Sequence, residues 1–265
     1  MLVQSSPSRR GCVSLAAAIV VLLSSRTATQ QLRCSIRTRR HTPDFLTTSL
    51  PRAPTLLFMR HAQSSNNGHW YRKGILGLRD PPLSAAGVQQ ARRAARALSH
   101  LHVDLVFSSH LQRAMQTAAL VFGTRVYVAP YAGELARTGT SCFFSPGICA
   151  HTRAAQRAEM GDVVSAQMNW SLVGGEDGRN DDAAMGPPSL QHFLSWMWNQ
   201  TLVQNILMDK GANATIALVS HGNLLEWEAL DFCWSHPTNM EVYSTPLMKG
   251  MRLPLKDVNV AYEDD

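Results

Sequence analysis

Three short apolar runs, each followed at once by polar residues, limit what this chain can fold into. They are TLLFM at 55–59, VDLVFSS at 103–109 and TIALVS at 215–220, and RVYVAP at 125–130 resembles them. Continuous apolar runs of this length are typical of strands that are buried on both faces. Because segments with helical spacing separate these runs, the sequence predicts an α/β fold. In such a fold a mainly parallel sheet has helices on both faces.

The intervening segments show where the helices should begin and end. We expect Ser84 to cap one helix, a second helix over 110–122, a short helix within 150–160, and another over 223–232. Ser189 should cap one long helix that ends near 209. The segment 241–245, EVYST, is expected to be an edge strand.

The basic charge of the chain is concentrated at its N-terminus. The formal net charge is +6, but residues 1–43 hold seven arginines, no lysine and no acidic residue, so +6 minus +7 leaves about −1 for 44–265. A nucleic-acid-binding domain would carry its basic residues on its own surface. The charge distribution therefore excludes a nucleic-acid partner for the domain.

The first 43 residues are typical of a targeting leader. Two arginines precede the eleven-residue apolar run 13–23, which has signal-peptide length and is shorter than the roughly 20 residues of a spanning helix. Residues 24–43 are rich in Ser, Thr and Arg, as in organelle transit segments. A secretory signal, a signal anchor and a two-part organelle address all fit, so membrane association is expected only if the leader is retained.

The remaining chain divides into a linker over 44–54, a domain over 55–250 and a tail over 251–265. Within the domain, periodicity weakens over about 131–187, which we interpret as a substrate insert. Cys142 and Cys149 are close enough in sequence to bridge, but we expect ordinary buried thiols. No Cys/His group has zinc spacing, and the sequence predicts neither a metal nor another cofactor. It carries no signal for an oligomeric state.

Polar residues that could do chemistry follow the predicted strands directly. Ligands of such sheets bind beyond the carboxyl ends of the strands, so these residues should converge at one edge. The candidates are two arginines, two histidines and one glutamate: Arg60 and His61, Arg113, Glu134, and His221.

This set suits phosphoryl transfer. Planar guanidinium groups match the oxygens of a phosphate. A histidine, with an ordinary pKa of about 6.5, is available as a nucleophile near neutral pH, and a second histidine can stabilise the charge of the transition state. Glu134 could protonate the leaving group if its pKa is raised; Glu176 and Asp177 are alternatives. No step requires a metal.

The segments RHAQSSNN, SSHLQRAMQTA, GEL and VSHGN resemble the histidine phosphatase superfamily, in its phosphoglycerate-mutase-like branch, over roughly 55–250. The resemblance implies a three-layer α/β/α sandwich and a small phosphorylated substrate. It implies that His61 is the phosphorylated nucleophile and Glu134 the proton donor. The implied phosphate pocket contains Arg60, Asn67, Arg113, His221 and Gly222.

Departures from the family pattern favour hydrolysis of phosphomonoesters. The segment LARTGTSCFF, from Leu135, lacks the residues that follow the glutamate in sugar-phosphate mutases. The pair Gly222-Asn223 matches the mutase form, so a mutase remains an alternative. An inactive relative that binds phosphorylated partners is another. Gly222 in place of an aspartate argues against the branch of phytases and acid phosphatases.

Overall fold

The computed structural model describes residues 53–67, 77–135, 145–174, 185–230, 237–255 and 258–264. They all belong to one compact unit, Thr42–Asp265. The predicted leader 1–43, most of the linker and Cys142 lie outside the described residues, as do Glu176 and Asp177.

A seven-stranded sheet forms the centre of this unit. Its strands are β1 (Thr55–Arg60), β2 (Leu105–Ser108), β3 (Val126–Val128), β4 (Met168–Asn169), β5 (Thr215–Ser220), β6 (Val242–Pro246) and β7 (Asn259–Tyr262). The strand order is β4-β3-β2-β5-β1-β6-β7. The strands β4, β3, β2, β5 and β1 are parallel to their neighbours in this order. Strand β6 pairs antiparallel with β1, and β7 pairs antiparallel with β6.

Helices cover both faces of the sheet. They are α1 (Ala85–Ala97), α2 (Gln112–Phe122), α3 (Arg153–Ser165), α4 (Leu190–Trp198), α5 (Thr201–Lys210) and α6 (Gly222–Leu224), which continues as a π-helical segment, Leu225–Ala229. Three 3₁₀ turns occupy Pro146–Ile148, Ser171–Val173 and Gly211–Asn213. Ser84 caps α1 as expected, since its hydroxyl oxygen accepts the Gly87 N–H at 3.1 Å.

The alternation of side chains along the strands separates two apolar cores. Leu56 and Phe58 of β1 belong to the core that contains α4 and part of α5. Leu57 and Met59 belong to the core that contains α1 and α2. Successive side chains of a strand point to opposite faces, so a strand buried on both faces must be apolar throughout. The predicted α/β fold with a mainly parallel, three-layer arrangement is confirmed.

The single long helix predicted to run to 209 is wrong, because the chain breaks at Asn199 and Gln200 between α4 and α5. The buried face of α4 consists of Leu190, Phe193, Leu194 and Met197. Continued at helical spacing, that face would place the polar residues Thr201 and Gln204 in the core. The break lets Val203 enter the core instead.

Both edges of the sheet differ from the prediction. The segment 241–245 is not an edge strand, because β7 pairs with β6 on its outer side. This places a strand in the predicted tail 251–265. At the opposite edge, β4 has only two residues, and its Met168 and Asn169 are half-buried. Short, half-buried strands lack the apolar runs that mark the central strands.

Cys149 is buried and disulfide-bonded, so the expectation of an ordinary thiol is wrong for this residue. Among the residues described, no helix has the length and apolar character needed to cross a bilayer.

We predict that a chain ending at Leu255 melts at a lower temperature than the full chain. Without β7, β6 loses its outer partner, and each ladder hydrogen bond contributes about 1 kcal/mol net. Thermal unfolding followed by circular dichroism measures the change. Lys249→Gln is the control, because Lys249 is exposed in the turn after β6 and its substitution should change the melting temperature little. Equal melting temperatures for the truncated and full chains would contradict the structural role of β7.

Candidate active site

The parallel pairing of β1 and β5 places the two histidines side by side, at the carboxyl ends of these strands. Arg60 lies opposite Ser220 in the register, so His61 and His221 each follow the last residue of adjacent strands. The His61 N–H donates to the Ser220 carbonyl oxygen at 3.0 Å. The Asn239 amide donates to the His61 carbonyl at 2.9 Å. The two imidazole rings approach edge to face, with centroids 5.0 Å apart.

Hydrogen bonds define which ring nitrogen of His61 carries the proton. Nδ1 lies 2.7 Å from the carbonyl oxygen of Ala62, which can only accept, so Nδ1 is the donor. Nε2 accepts a hydrogen bond from Nε of Arg113 at 3.0 Å. His61 therefore presents an unprotonated Nε2, the form required of a nucleophile.

Arg113 lies in the first turn of α2, with its side chain buried against His61. Its Nη1 donates to the carbonyl oxygen of Gly147 at 2.8 Å, which ties it to the 3₁₀ turn of the predicted insert. Burial lowers the pKa of Arg113, whereas Glu134 and Asp80 act to raise it. A guanidinium stays charged in proteins, so the site contains a buried cation suited to an anion.

His221 is fully buried, and Ser109 orients its ring. The Ser109 hydroxyl lies 2.8 Å from Nε2 of His221 and accepts the Leu111 N–H at 3.2 Å. Its own proton can therefore be donated to Nε2, which leaves the ring proton on Nδ1. Nδ1 has no hydrogen-bond partner and lies 3.8 Å from Oε2 of Glu134. Burial lowers the pKa of His221 well below its usual value, so the ring is neutral.

Glu134 follows β3 and faces the same space. Its Oε1 accepts the Asn223 N–H at 3.2 Å, and Asn223 Nδ2 donates to the Leu135 carbonyl oxygen at 2.7 Å. Burial raises the pKa of Glu134, and the arginines Arg113 and Arg60 oppose the shift. A carboxyl group that holds its proton to higher pH can serve as a general acid.

Arg60 and Asn67 occupy the periphery of the site. Nη1 of Arg60 donates to the Pro237 carbonyl oxygen. Burial lowers the pKa of Arg60, and Glu134 is the first of several groups that raise it. Oδ1 of Asn67 accepts from the hydroxyl of Ser64 at 2.8 Å, so this amide is turned toward its own loop. Gly222 is buried as the first residue of α6.

A polar cavity of about 260 Å³ opens above His61. The cavity walls come from the loop after β1, the first turn of α2, the chain after β3, the 3₁₀ turn of the insert, and α6. The lining residues are His61, Ser64, Asn66, Asn67, Pro81, Arg113, Glu134, Ser145, Gly147, Ile148 and Asn223. The structure thus brings His61, Arg113 and Glu134 to one cavity, whereas Arg60 and His221 lie behind this lining.

The sequence predicts a substrate insert over about 131–187 but not which of its residues line the cavity. Gly147 accepts from Arg113, and the Asn66 amide exchanges hydrogen bonds at 2.9 Å with the backbone of Leu78. A Cβ on Gly147 would lie 3.0 Å from the Asn66 amide nitrogen, so this amide would have to shift to admit a side chain. The SPG sequence at 145–147 marks a turn but gives no signal of what the turn contacts.

The same atoms could in principle gather around a metal ion. Ligand atoms of His61, Glu134 and His221 lie within 4.8 Å of one another. However, the lone pair of His61 Nε2 already accepts from the guanidinium of Arg113, so a cation there would lie against a buried positive charge. The donor set therefore fits an anion better than a metal ion.

The fold and the site define an α/β protein that presents two neutral histidines and a buried arginine to an anion. Residues 56–132 match the family described as histidine phosphatase superfamily (branch 1). This match over 56–132 agrees with the resemblance of the motifs to that superfamily.

Individual relatives match over part of the chain. Fructose-2,6-bisphosphatase TIGAR B of Danio rerio is 42% identical over 72 residues, 27% of this chain and 27% of that protein. The 2,3-bisphosphoglycerate-dependent phosphoglycerate mutase of Chlamydia trachomatis serovar L2 is 39% identical over 66 residues, 24% of this chain and 27% of that enzyme. The matched region thus covers about a quarter of the length of each of these curated relatives.

Solved structures match over a longer range with low identity. A phosphoglycerate mutase from Bacillus anthracis str. Sterne aligns with 74% of this chain and 88% of its own, at a TM-score of 0.44 and 18% identity.

We predict that Ser109→Ala weakens binding of inorganic phosphate about fivefold. The substitution removes the hydroxyl that orients His221, and a hydrogen bond contributes about 1 kcal/mol. Isothermal titration calorimetry measures the dissociation constant. Ser108→Ala is the matched control, because the Ser108 hydroxyl donates only to the Ser109 carbonyl. Equal losses in both variants would contradict the role of Ser109.

Proposed function

We propose that the domain hydrolyses phosphate monoesters through a phosphohistidine on His61, without a metal. The observation that supports this most directly is the unprotonated Nε2 of His61, held 3.0 Å from the guanidinium of Arg113 at the polar cavity. A nucleophile next to a buried cation is the arrangement that attack on an anionic phosphoryl group requires.

In the first half of the reaction, Nε2 of His61 forms a bond to phosphorus while the bond to the leaving oxygen breaks. Protonated Glu134 gives its proton to that oxygen, so the product leaves as an alcohol. Arg113, with Arg60 nearby, balances the charge on the equatorial oxygens. The neutral Nδ1–H of His221, which has no other partner, is available to donate to one of these oxygens.

In the second half, Glu134 is a carboxylate and takes a proton from water. The water oxygen bonds to phosphorus, the nitrogen–phosphorus bond breaks, and its electron pair returns to Nε2. Phosphate leaves and Glu134 is protonated again, so the cycle closes. The raised pKa of Glu134 supports this alternation because both of its protonation states are then accessible.

The size of the cavity supports a proposal for the substrate class. About 260 Å³ is near the lower limit of ordinary ligand sites, which favours a small molecule with one phosphoryl group at His61. The names of the relatives, a fructose-2,6-bisphosphatase and a phosphoglycerate mutase, agree with a small phosphorylated metabolite.

A mutase remains the second candidate, because mutases are among the relatives and Gly222-Asn223 matches their form. A mutase returns the phosphoryl group to the substrate, whereas a phosphatase releases it to water. Incubation with 3-phosphoglycerate and analysis of products by ³¹P NMR separates the two. Release of inorganic phosphate supports hydrolysis, and formation of 2-phosphoglycerate supports the mutase.

We further propose that the leader 1–43 directs the chain to the secretory pathway or an organelle. The disulfide at Cys149 supports an oxidising compartment, where such bonds persist. Microscopy of the full chain with a C-terminal fluorescent tag, compared with a chain that begins at 44, tests the address. An identical cytosolic distribution of the two would contradict it.

We predict that His61→Ala abolishes hydrolysis of 4-nitrophenyl phosphate, because it removes the Nε2 atom on which the proposed covalent intermediate forms. Chelators should leave the native rate unchanged. The matched control is His192→Ala, a change at an exposed histidine of α4. Acid-labile phosphate trapped on the native chain and absent from His61→Ala identifies the intermediate. Activity in His61→Ala would refute the proposed nucleophile.

We predict that Glu134→Gln slows hydrolysis of alkyl phosphates far more than that of 4-nitrophenyl phosphate. A nitrophenolate leaves without a proton, whereas an alkoxide needs the acid, whose contribution is about 10²- to 10⁴-fold. Steady-state kcat/KM on both substrates measures the difference. Glu176→Gln and Asp177→Asn are compared in parallel, since these residues are the alternative acids. Equal losses on both substrates in Glu134→Gln would contradict its role as acid.

A further inference from the structure

The turn before α1 contains a carboxylate that the proposed mechanism does not use. Asp80 is fully buried and has a φ of 40°, in the left-handed region that aspartate tolerates better than most residues. It lies just before Pro81, a residue of the cavity wall. A buried carboxylate is costly unless donors satisfy it, so its partners indicate its role.

Three donors from separate parts of the chain converge on Asp80. Oδ1 accepts the backbone N–H of Gln112 at 2.8 Å. Oδ2 accepts the backbone N–H of His151 at 2.9 Å and the side-chain amide of Gln156 at 2.6 Å. The carboxylate thus joins the beginning of α2, the chain before α3, and α3 itself.

The bond to Gln112 fixes the beginning of α2. The N-cap residue of this helix, Leu111, has no side chain that can accept a hydrogen bond from the first turn. Asp80 supplies that acceptor from another part of the chain, and its negative charge lies at the positive end of the helix. The next residue after Gln112 is Arg113, whose Nε donates to His61.

The hydrogen bond from the His151 N–H to Asp80 helps to hold the segment that contains Gly147, the second hydrogen-bond partner of Arg113. Beside it, Arg79 donates through both Nε and Nη2 to the Ala150 carbonyl, at 3.0 and 2.8 Å. These bonds hold the segment that leads back to Gly147, and the Gly147 carbonyl accepts from Nη1 of Arg113. Both the backbone of Arg113 and the acceptor of its guanidinium are therefore anchored by the turn 79–80.

We propose that Asp80 is a positioning residue that holds Arg113 in place against His61 from behind the catalytic cavity. This inference rests on the proposed function in that it gives Arg113 a role in phosphoryl binding. Asp80 touches neither His61 nor the cavity, so it acts through the backbone of α2 and through the 3₁₀ turn. Burial lowers the pKa of Arg113, and the charge of Asp80 counteracts this effect because it acts to raise the same pKa.

The test is Asp80→Asn, which keeps the size of the side chain and removes its charge. We expect kcat/KM for 4-nitrophenyl phosphate to fall by about 10- to 100-fold, since a displacement of about 1 Å at a reacting group costs about that much. The matched control is Asp104→Asn. The side chain of Asp104 is also buried and accepts a backbone N–H, that of Thr215 at 2.8 Å, but at the amino ends of β2 and β5, away from the cavity.

A double substitution distinguishes positioning from general stability. If Asp80 acts through Arg113, adding Asp80→Asn to Arg113→Ala lowers kcat/KM no further than Arg113→Ala alone. Multiplied losses would overturn the proposal, as would native kcat/KM in Asp80→Asn. Asp104→Asn should lower the melting temperature and leave kcat/KM unchanged; a loss of kcat/KM equal to that of Asp80→Asn would also overturn it.

Two further measurements keep the proposal testable. If Asp80→Asn does not fold, Gln156→Leu removes one donor to Asp80 and should lower kcat/KM several-fold; native kinetics would then overturn the proposal. If the native chain has no phosphatase activity, the proposed function fails, but binding of inorganic phosphate still tests Asp80. The dissociation constant should rise about tenfold in Asp80→Asn and stay unchanged in Asp104→Asn, and an unchanged constant in Asp80→Asn would overturn the inference.

Discussion

The buried guanidinium of Arg113, bonded to the unprotonated Nε2 of His61, is the interaction on which the rest of the site depends. A cation removed from water is stable only if acceptors and negative charge surround it. The Gly147 carbonyl supplies an acceptor, and Glu134 and Asp80 supply charge. A bound phosphoryl group would add the strongest anionic partner. In the proposed function, the charge of the phosphoryl group would thus balance the charge of this guanidinium.

The central sheet makes this interaction possible by placing two histidines side by side. Because β1 and β5 are adjacent and parallel, the residues that follow them lie together at the carboxyl ends of the strands. Strand β2 lies next to β5 and brings Ser109 to His221. Each strand can end in a polar residue because its preceding residues are apolar on both faces and fix it in the sheet. The continuous apolar runs and the active site are consequences of one architecture.

The sequence was sufficient to predict the layers and some of the residues that meet at the cavity, because apolar runs and the polar residues after them are local signals. His61, Arg113 and Glu134 do line one cavity, with His221 directly behind. The break at Asn199, the strand β7 and the contacts of Asp80 were not predictable in the same way. Each depends on partners distant in the chain: Asp80 contacts Gln112 and Gln156. The DPP sequence indicates a turn, but not what the carboxylate of that turn binds.

Burial acts in opposite directions on the two groups that flank His61. It lowers the pKa of His221 and raises that of Glu134, because in each case the neutral form is favoured away from water. The neutral histidine can donate from Nδ1 without adding a positive charge next to Arg113, and the neutral carboxyl can donate to a leaving group. Burial therefore favours both the neutral His221, which is a hydrogen-bond donor, and the protonated Glu134, which is an acid. The arginines oppose the upward shift of the Glu134 pKa, and this favours the carboxylate that the proposed mechanism needs to activate water.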